Sequence, residues 1–424
     1  MNKMQKCFSK EHNISRREWF QHLGVVGAAG MFSPAFAEAI KKKDKQVMFI
    51  WLDGGISQLE SWDPKPNTTF GGPFRAIPTN VNGIHISELL PKTSMHMDKM
   101  AIVRSLSTKD NSHSAGVDRI QRGDPKNRGV TYPYIGSAIS KLMGPCEEGM
   151  PPYVWIKPMN GGFISKDAGF LGPKYGAIAF GDGKPPDNLP RAQTVSKELD
   201  DIRKEFRAKL DLQYRKGRMP ENSEAATAVF DMADKLQQRL DLFDPANVSA
   251  KDAERYGTWD LGRHLYLGRR MLEAGVRFVK VTSYGWDTHG DNFNGHLSLV
   301  SKFDKSFAAL MDDLHDRKML DNVLVIVLSE FGRTPRINGH HGRDHWPEAW
   351  SCAMAGCGLK KGIVSGKTNA LGTEVEGKSH DIGSMFHTWF SALGLDSASL
   401  EYDNQGQPLP VAHEDEKAVT EVLA

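Results

Sequence analysis

Five short apolar runs, each stopped by glycine or a small polar residue, constrain this chain more than anything else in it. Gln46–Leu52 reads Gln-Val-Met-Phe-Ile-Trp-Leu and closes on Asp53-Gly54-Gly55. Residues 100–103 end at Arg104-Ser105, and 276–283 alternate around Arg277 and Lys280 before Gly285-Trp286-Asp287. Residues 322–328 end at Ser329-Glu330-Phe331-Gly332, and 350–355 lead into Gly356-Cys357-Gly358. Short runs rich in branched and aromatic side chains read as strands of a sheet covered on both faces. Amphipathic helices are predicted over 196–212, 223–243, 260–274 (with Gly275 as its C-terminal cap) and 301–317. The alternation predicts an α/β fold with a mostly parallel central sheet. Residues 190–260 read as a helical insertion whose charge forms a solvated face, and the Gly- and Pro-rich segment 144–188 reads as loop.

Composition removes several classes. At 424 residues, 25 % charged and 39 % hydrophobic, the chain is globular rather than disordered, collagenous or a multi-span membrane protein. Residues 1–37 hold five Lys/Arg and two acids; removing them from totals of 54 and 52 leaves 49 basic against 50 acidic. A near-neutral body has no electrostatic footprint for nucleic acid.

Residues 1–37 read as an export segment. Ser15-Arg16-Arg17-Glu18-Trp19-Phe20 precedes an uncharged run over 23–32, and Ala35-Phe36-Ala37 follows as a peptidase site. Paired arginines point to the twin-arginine route and its machinery, hence a periplasmic or extracellular location. The apolar run is well short of the ~20 residues that span a bilayer, so no stable membrane span is expected. Cys7 leaves with the signal; Cys146, Cys352 and Cys357 remain. For the last two, a bridge in an oxidising compartment and a pair of buried thiols are both open.

Open α/β sheets bind ligands beyond the carboxyl ends of their strands. Asp53 follows the first run; Ser105, Ser107, Thr108, Ser112 and His113 follow the second; Asp287, His289 and Asp291 follow the third. Glu330 follows the fourth, with His340, His341, Asp344 and His345 soon after. Singly, each has a plain reading: Asp53 as a turn residue, Glu330 as the partner of Arg333 or Arg336, the histidines as hydrogen-bonded loop residues. Together, carboxylates and imidazoles on one rim suit zinc, manganese or another divalent ion, which would stabilise an oxyanion and activate water. Phosphate loops of the Gly-x-x-x-x-Gly-Lys-Ser/Thr type, Gly-x-Ser-x-Gly elbows and His-Glu-x-x-His pairs are absent from the sequence. Cys352 and Cys357 have the wrong spacing for a zinc knuckle.

Several motifs taken together resemble a known family. They are Trp51-Leu52-Asp53-Gly54-Gly55-Ile56-Ser57-Gln58, Gly72-Pro73-Phe74 with Ile77-Pro78-Thr79, Ile86-Ser87-Glu88-Leu89-Leu90-Pro91, Trp286-Asp287-Thr288-His289-Gly290, Glu330-Phe331-Gly332-Arg333-Thr334-Pro335 and Gly342-Arg343-Asp344-His345-Trp346-Pro347. Over residues 45–410 they resemble the bacterial exported domain-of-unknown-function family 1501, placed in the alkaline phosphatase/sulfatase-like superfamily. The resemblance implies one large three-layer α/β/α sandwich, an alkaline phosphatase-like domain with a metal-dependent hydrolase site at the strand ends.

It implies metal ligation by Asp53, Asp287, His289, Glu330 and His345, with one or two zinc, manganese or calcium ions. Phe331 stands where the superfamily has a ligand histidine. Gly123 fits the glycine at the start of a helix that lies about ten residues after the nucleophile. That count puts His113 at the nucleophile position and leaves Ser112 as a displaced candidate. No Cys-x-Pro-x-Arg signature of a formylglycine sulfatase occurs. Arg104, Arg333 or Arg343 is expected to clamp an anion. The expected activity is hydrolysis of phosphate or sulfate esters, on a small anionic ester or an envelope polymer. The alternative is a catalytically inactive relative acting as an envelope binding or assembly factor.

Overall fold

Gln46–Leu52 (β1) lies inside a nine-stranded sheet and buries all seven of its residues. The computed structural model describes residues 44–424 apart from 148–149, 187–188 and 216–219. The export segment expected at 1–37 lies outside the described residues. The other sheet strands are β2 (Met100–Leu106), β3 (Tyr153–Lys157), β4 (Gly162–Ile164), β5 (Ala177–Gly181), β6 (Phe278–Ser283), β7 (Val323–Leu328), β8 (Trp350–Gly356) and β9 (Ile363–Ser365). Their order is β9-β2-β8-β7-β1-β6-β3-β5-β4. β1 is parallel to β6 and β7, whereas β8 is antiparallel to both of its neighbours and β4 closes its edge antiparallel.

The described helices are α1 (His113–Arg122), α2 (Ile135–Met143), α3 (Lys197–Arg215), α4 (Pro220–Gln237), α5 (Ala250–Tyr256), α6 (Asp260–Glu273), α7 (Asn292–Asp316) and α8 (Ile382–Ala392). The pleat of β1 divides them into two layers. Met48, Ile50 and Leu52 join a core with Leu265 of α6 and Phe303 and Leu310 of α7. Val47, Phe49 and Trp51 join the opposite core with Ile120 of α1, Ile139 of α2 and Trp389 of α8. Side chains alternate across a strand, so a run apolar at every position must be covered on both sides, which gives three layers.

Two expectations are corrected. Segment 144–188 is not loop-dominated: it holds β3, β4 and β5, too short and too closely bounded by Gly and Pro to stand out as runs. α7 begins nine residues before the predicted start at 301. Asn292 and His296 are buried within the helix's first turns. In α3, Glu198, Asp201, Arg203, Glu205 and Lys209 are exposed and Asp200, Lys204, Arg207 and Asp211 are half-buried, while Leu199, Ile202, Phe206 and Leu210 also stand exposed.

Cys352 and Cys357 are free and buried. They sit five positions apart along and just beyond β8, about 16 Å in extended chain, against the roughly 4.4–6.8 Å between Cα atoms that a disulfide spans.

Two imidazoles are sealed in the helical layer. Burial pushes both His264 on α6 and His296 on α7 down to about 4. Below about pH 6.5 the unfolded chain takes up these protons and the native state does not. Their contribution is therefore full above pH 6.5 and falls as pH drops toward 4, by up to about 1.4 kcal/mol per pH unit for each imidazole. Urea midpoints are expected to fall between pH 7 and pH 5, with a shallower fall in His264→Phe. An unchanged slope in that variant would contradict the assignment.

Candidate metal centre

The parallel strands end together, and the chain between β7 and β8 folds over that rim. After Leu328 it forms an antiparallel hairpin of Gly332–Ile337 and Arg343–Trp346 before re-entering the sheet at Trp350. β8 therefore runs backwards, and its N-terminal end brings His345 to the rim.

Two glycines let the exit of β1 close against its neighbours. Gly54 (φ +113°) packs so tightly that a Cβ would stand 2.5 Å from the Asp287 nitrogen. At Gly55 (φ +96°) a Cβ would meet the Phe331 ring at 2.9 Å. Only glycine adopts such φ values without strain. The Gly54 N–H donates to Glu330 Oε1 at 2.9 Å, and the Gly54 carbonyl accepts from Arg333.

Three imidazoles converge on one carboxylate. Asp287 Oδ1 lies 3.1 Å from His289 Nε2 and 3.1 Å from His345 Nε2, and Asp287 Oδ2 lies 3.2 Å from His113 Nε2. His289 Nε2 and His345 Nε2 are 2.9 Å apart. Each ring is aimed from behind through its other nitrogen. Nδ1 of His113 donates to Glu330 Oε1 at 2.8 Å, that of His289 to Asp344 Oδ1 at 2.8 Å, and that of His345 to the Asn111 carbonyl at 2.6 Å. These acceptors assign the proton to Nδ1 and leave the Nε2 lone pairs pointing inward. Phe331, fully buried, supports the rings, stacked on His345 at 4.2 Å and tilted against His113 at 5.2 Å.

The electrostatics follow from these contacts. Burial alone would raise Asp287, but the hydrogen bond and charge of Arg333, with His345 and His289, hold it down to about 2. The Glu330 hydrogen bond raises His113, burial lowers His345, and burial raises Glu330.

The donor set fits a divalent cation. Donors bound at about 2.0–2.1 Å around one tetrahedral ion stand about 3.3 Å apart. Asp287 Oδ1, His289 Nε2 and His345 Nε2 form a triangle of sides 3.1, 3.1 and 2.9 Å. His113, Asp287 and His345 also offer ligand atoms that all lie within 4.8 Å of one another. Lone pairs facing each other at 2.9 Å repel unless a positive charge lies between them, and each imidazole's spare proton is already committed to an oxygen.

Of the sequence candidates, the structure brings together His113, Asp287, His289 and His345 and leaves the others outside that group. Glu330 is one bond further out, behind His113, because its carboxylate is buried under the Gly54 N–H. Asp53 accepts the Trp51 indole N–H at 2.7 Å and is absent from the clustered ligand atoms. It lies in the field of buried Lys280, whose amine burial pushes down to about 8.

The anion clamps are not formed either. Arg104 donates to the His85 carbonyl at 2.6 Å and lies 3.6 Å from Asp63. Arg343 is fully buried in a two-pronged pair with Glu60, at 3.0 and 2.8 Å. Arg333 is also buried, bonding Asp287 at 2.6 Å and the carbonyls of Gly55, Arg343 and Trp286. Arginine needs its hydrogen bonds met when buried, and here the rim's own backbone meets them. Ser112 is the N-cap of α1, donating to Asp110 and accepting from the Ala115 N–H. Gly123 ends that helix rather than starting one, and His113 is the helix's first residue.

Sequence reasoning missed Asn111 as an acceptor and the Glu60–Arg343 pair, and it gave Asp344 no role. Of these only Asp344 had a signal, sitting beside His345.

A family model described as "Protein of unknown function (DUF1501)" matches residues 44–423. Among curated proteins none matches the chain. Among solved structures, the chain is similar to the lipoteichoic acid synthase LtaP of Listeria monocytogenes, at 10 % identity over 88 % of this chain and 76 % of that one, with a TM-score of 0.37. It is also similar to TAB5 alkaline phosphatase, at 12 % identity over 82 % and 98 %, with a TM-score of 0.35. The C-terminal periplasmic domain of EcEptC from Escherichia coli is similar at 11 % identity over 82 % of each chain, with a TM-score of 0.37. With its family model spanning nearly every described residue, the chain belongs to the DUF1501 family.

Proposed function

We propose that this protein is an exported metal-dependent hydrolase of phosphate or sulfate esters. One divalent cation would be held by Nε2 of His113, His289 and His345 and by the Asp287 carboxylate, in a five-coordinate site whose remaining position would take water. The observation that carries this reading is the commitment of all three Nδ1 atoms to oxygens while the three Nε2 atoms converge on one carboxylate. Imidazole-rich donors favour zinc or manganese; calcium, which takes about six to eight oxygens, does not suit them.

A divalent cation there supplies Lewis acidity and makes water nucleophilic near neutral pH. The protein's own groups do the rest. Three neutral imidazoles and one carboxylate leave such an ion positively charged, which favours an anionic ester. Arg333 fixes Asp287, and Phe331 keeps water from beneath the rings. Ser112 is spent on its cap, so water is the nucleophile this site has to use. The ester class itself rests on the motif resemblance. Export by the twin-arginine route to the periplasm belongs to the same proposal; among the described residues no helix is long and apolar enough to cross a membrane.

Turnover of aryl phosphates, phosphodiesters and aryl sulfates with zinc or manganese tests the proposal. Chelator-sensitive hydrolysis of at least one class is expected. The commitment of Arg104, Arg333 and Arg343 to internal pairs favours one second reading, an inactive envelope binding or assembly factor. Stoichiometric metal with flat profiles on every ester would select it.

Asp344 aims His289 without joining the donors, and it is half exposed, so it can be removed at little cost in stability. Asp344→Ala is expected to weaken metal binding by about 10–100-fold, the usual effect of losing a ligand's hydrogen-bonded support. Competitive titration against a chelating dye reads it, and unchanged affinity would contradict the orienting role.

A further inference from the structure

Helix α3 turns four of its charged residues toward α4 and an apolar stripe outward. Asp200, Lys204, Arg207 and Asp211 face α4. Lys204 Nζ lies 3.0 Å from both Asp200 and Asp234, Arg207 stacks on the Phe230 ring at 3.7 Å, and Asp211 accepts from Thr227 at 3.4 Å. On another side, Leu199, Ile202, Phe206 and Leu210 are 43, 62, 62 and 48 % exposed. Their spacing of three, four and four gathers them in one stripe along a single side of the helix. A helix packed on its own protein normally buries such a stripe.

The charges beside the stripe say what fits there. At its N-terminal end stand Glu198 and Asp201; further along stand Arg203, Glu205 and Lys209, all exposed. Glu198 and Lys209 lie on the same flank, and among the described residues Lys209 pairs with Glu205 of its own helix, 3.8 Å away on the exposed surface. An antiparallel copy of the same helix sets Glu198 of one against Lys209 of the other on that flank, leaves Arg203 facing its own copy beside the axis on the other flank, and opposes the two helix dipoles favourably. A membrane surface would call for flanks rich in Lys and Arg; these five flanking residues carry three anions and two cations.

We propose that α3 is a dimerisation helix, pairing antiparallel with α3 of a second copy of this chain about a two-fold axis through the Ile202–Phe206 stretch. Leu199 then meets Leu210 of the second copy, Ile202 meets Phe206, and Glu198 meets Lys209, each pair formed twice as an isologous interface requires. A 19-residue helix is about 28 Å long. The contact is therefore at the low end of specific interfaces, below about 1,200 Å², and a micromolar dimer is expected.

Sedimentation velocity of the full chain from roughly 1 to 100 µM tests this. A monomer–dimer shift across that range is expected, abolished by Ile202→Glu with Phe206→Glu. Both side chains are exposed, so the fold should tolerate the change. Glu198→Lys should weaken the dimer about tenfold, and Glu198→Lys with Lys209→Glu should restore it. A monomer at every concentration, a dimer indifferent to Ile202→Glu with Phe206→Glu, or failure of the charge swap to restore association would overturn the proposal. So would binding to anionic vesicles that is lost in the double glutamate variant, which would assign the face to a membrane.

Discussion

His289→Ala is expected to lower bound divalent metal from about one equivalent to near zero and to take ester hydrolysis down by roughly a thousandfold, about 4 kcal/mol of transition-state stabilisation. The size follows from geometry. His289 Nε2 stands 3.1 Å from Asp287 Oδ1 and 2.9 Å from His345 Nε2, so its loss removes one donor and opens the ring of the others. His289 is nearly half exposed, so stability should barely change. Metal analysis beside circular dichroism checks both halves. A variant that keeps its metal and its rate would remove His289 from the site.

Arg343→Ala acts on the frame instead. Arg343 and Glu60 are both fully buried, and the guanidinium also donates to the carbonyls of Phe70, Thr334 and Pro335. Asn292 adds a bond to Glu60 at 3.0 Å. Burial would raise Glu60, but Arg343 outweighs it and keeps it below the usual carboxylate range. Removing one partner of such a pair leaves an unpaired buried charge, at a cost of about 3–5 kcal/mol. The hairpin carrying His345 hangs on this arginine, so metal binding should weaken together with stability. Glu60→Gln combined with Arg343→Met should recover much of the loss. A loss under about 1 kcal/mol by urea unfolding would contradict the structural role.

The fold was legible where burial on both faces forced continuous apolar runs, as in 322–328 and Gln46–Leu52. It was illegible where a strand was short, as in β4 and β5, or where direction mattered. Nothing in Trp350–Gly356 marks it as antiparallel; that follows from the hairpin at 332–346, whose length lets the chain return. The rim rule found His113, Asp287, His289 and His345 because strand ends collect what a sheet cannot bury. It grouped Glu330 with them because sequence does not show that its carboxylate stands behind His113, 2.8 Å from Nδ1.

The arginines misled for a different reason. Arg333 and Arg343 look like surface cations until Glu60 and the backbone carbonyls of the rim are seen around them. Amphipathic spacing in α3 reveals an apolar stripe and does not say that it points outward.

Anomalous diffraction from crystals grown with zinc or manganese tests the central claim most directly. The account predicts one peak about 2.0–2.2 Å from the Nε2 atoms of His113, His289 and His345 and from an Asp287 oxygen. A peak between Asp53 and Glu330 instead, or no peak on this rim at saturating metal, would contradict it.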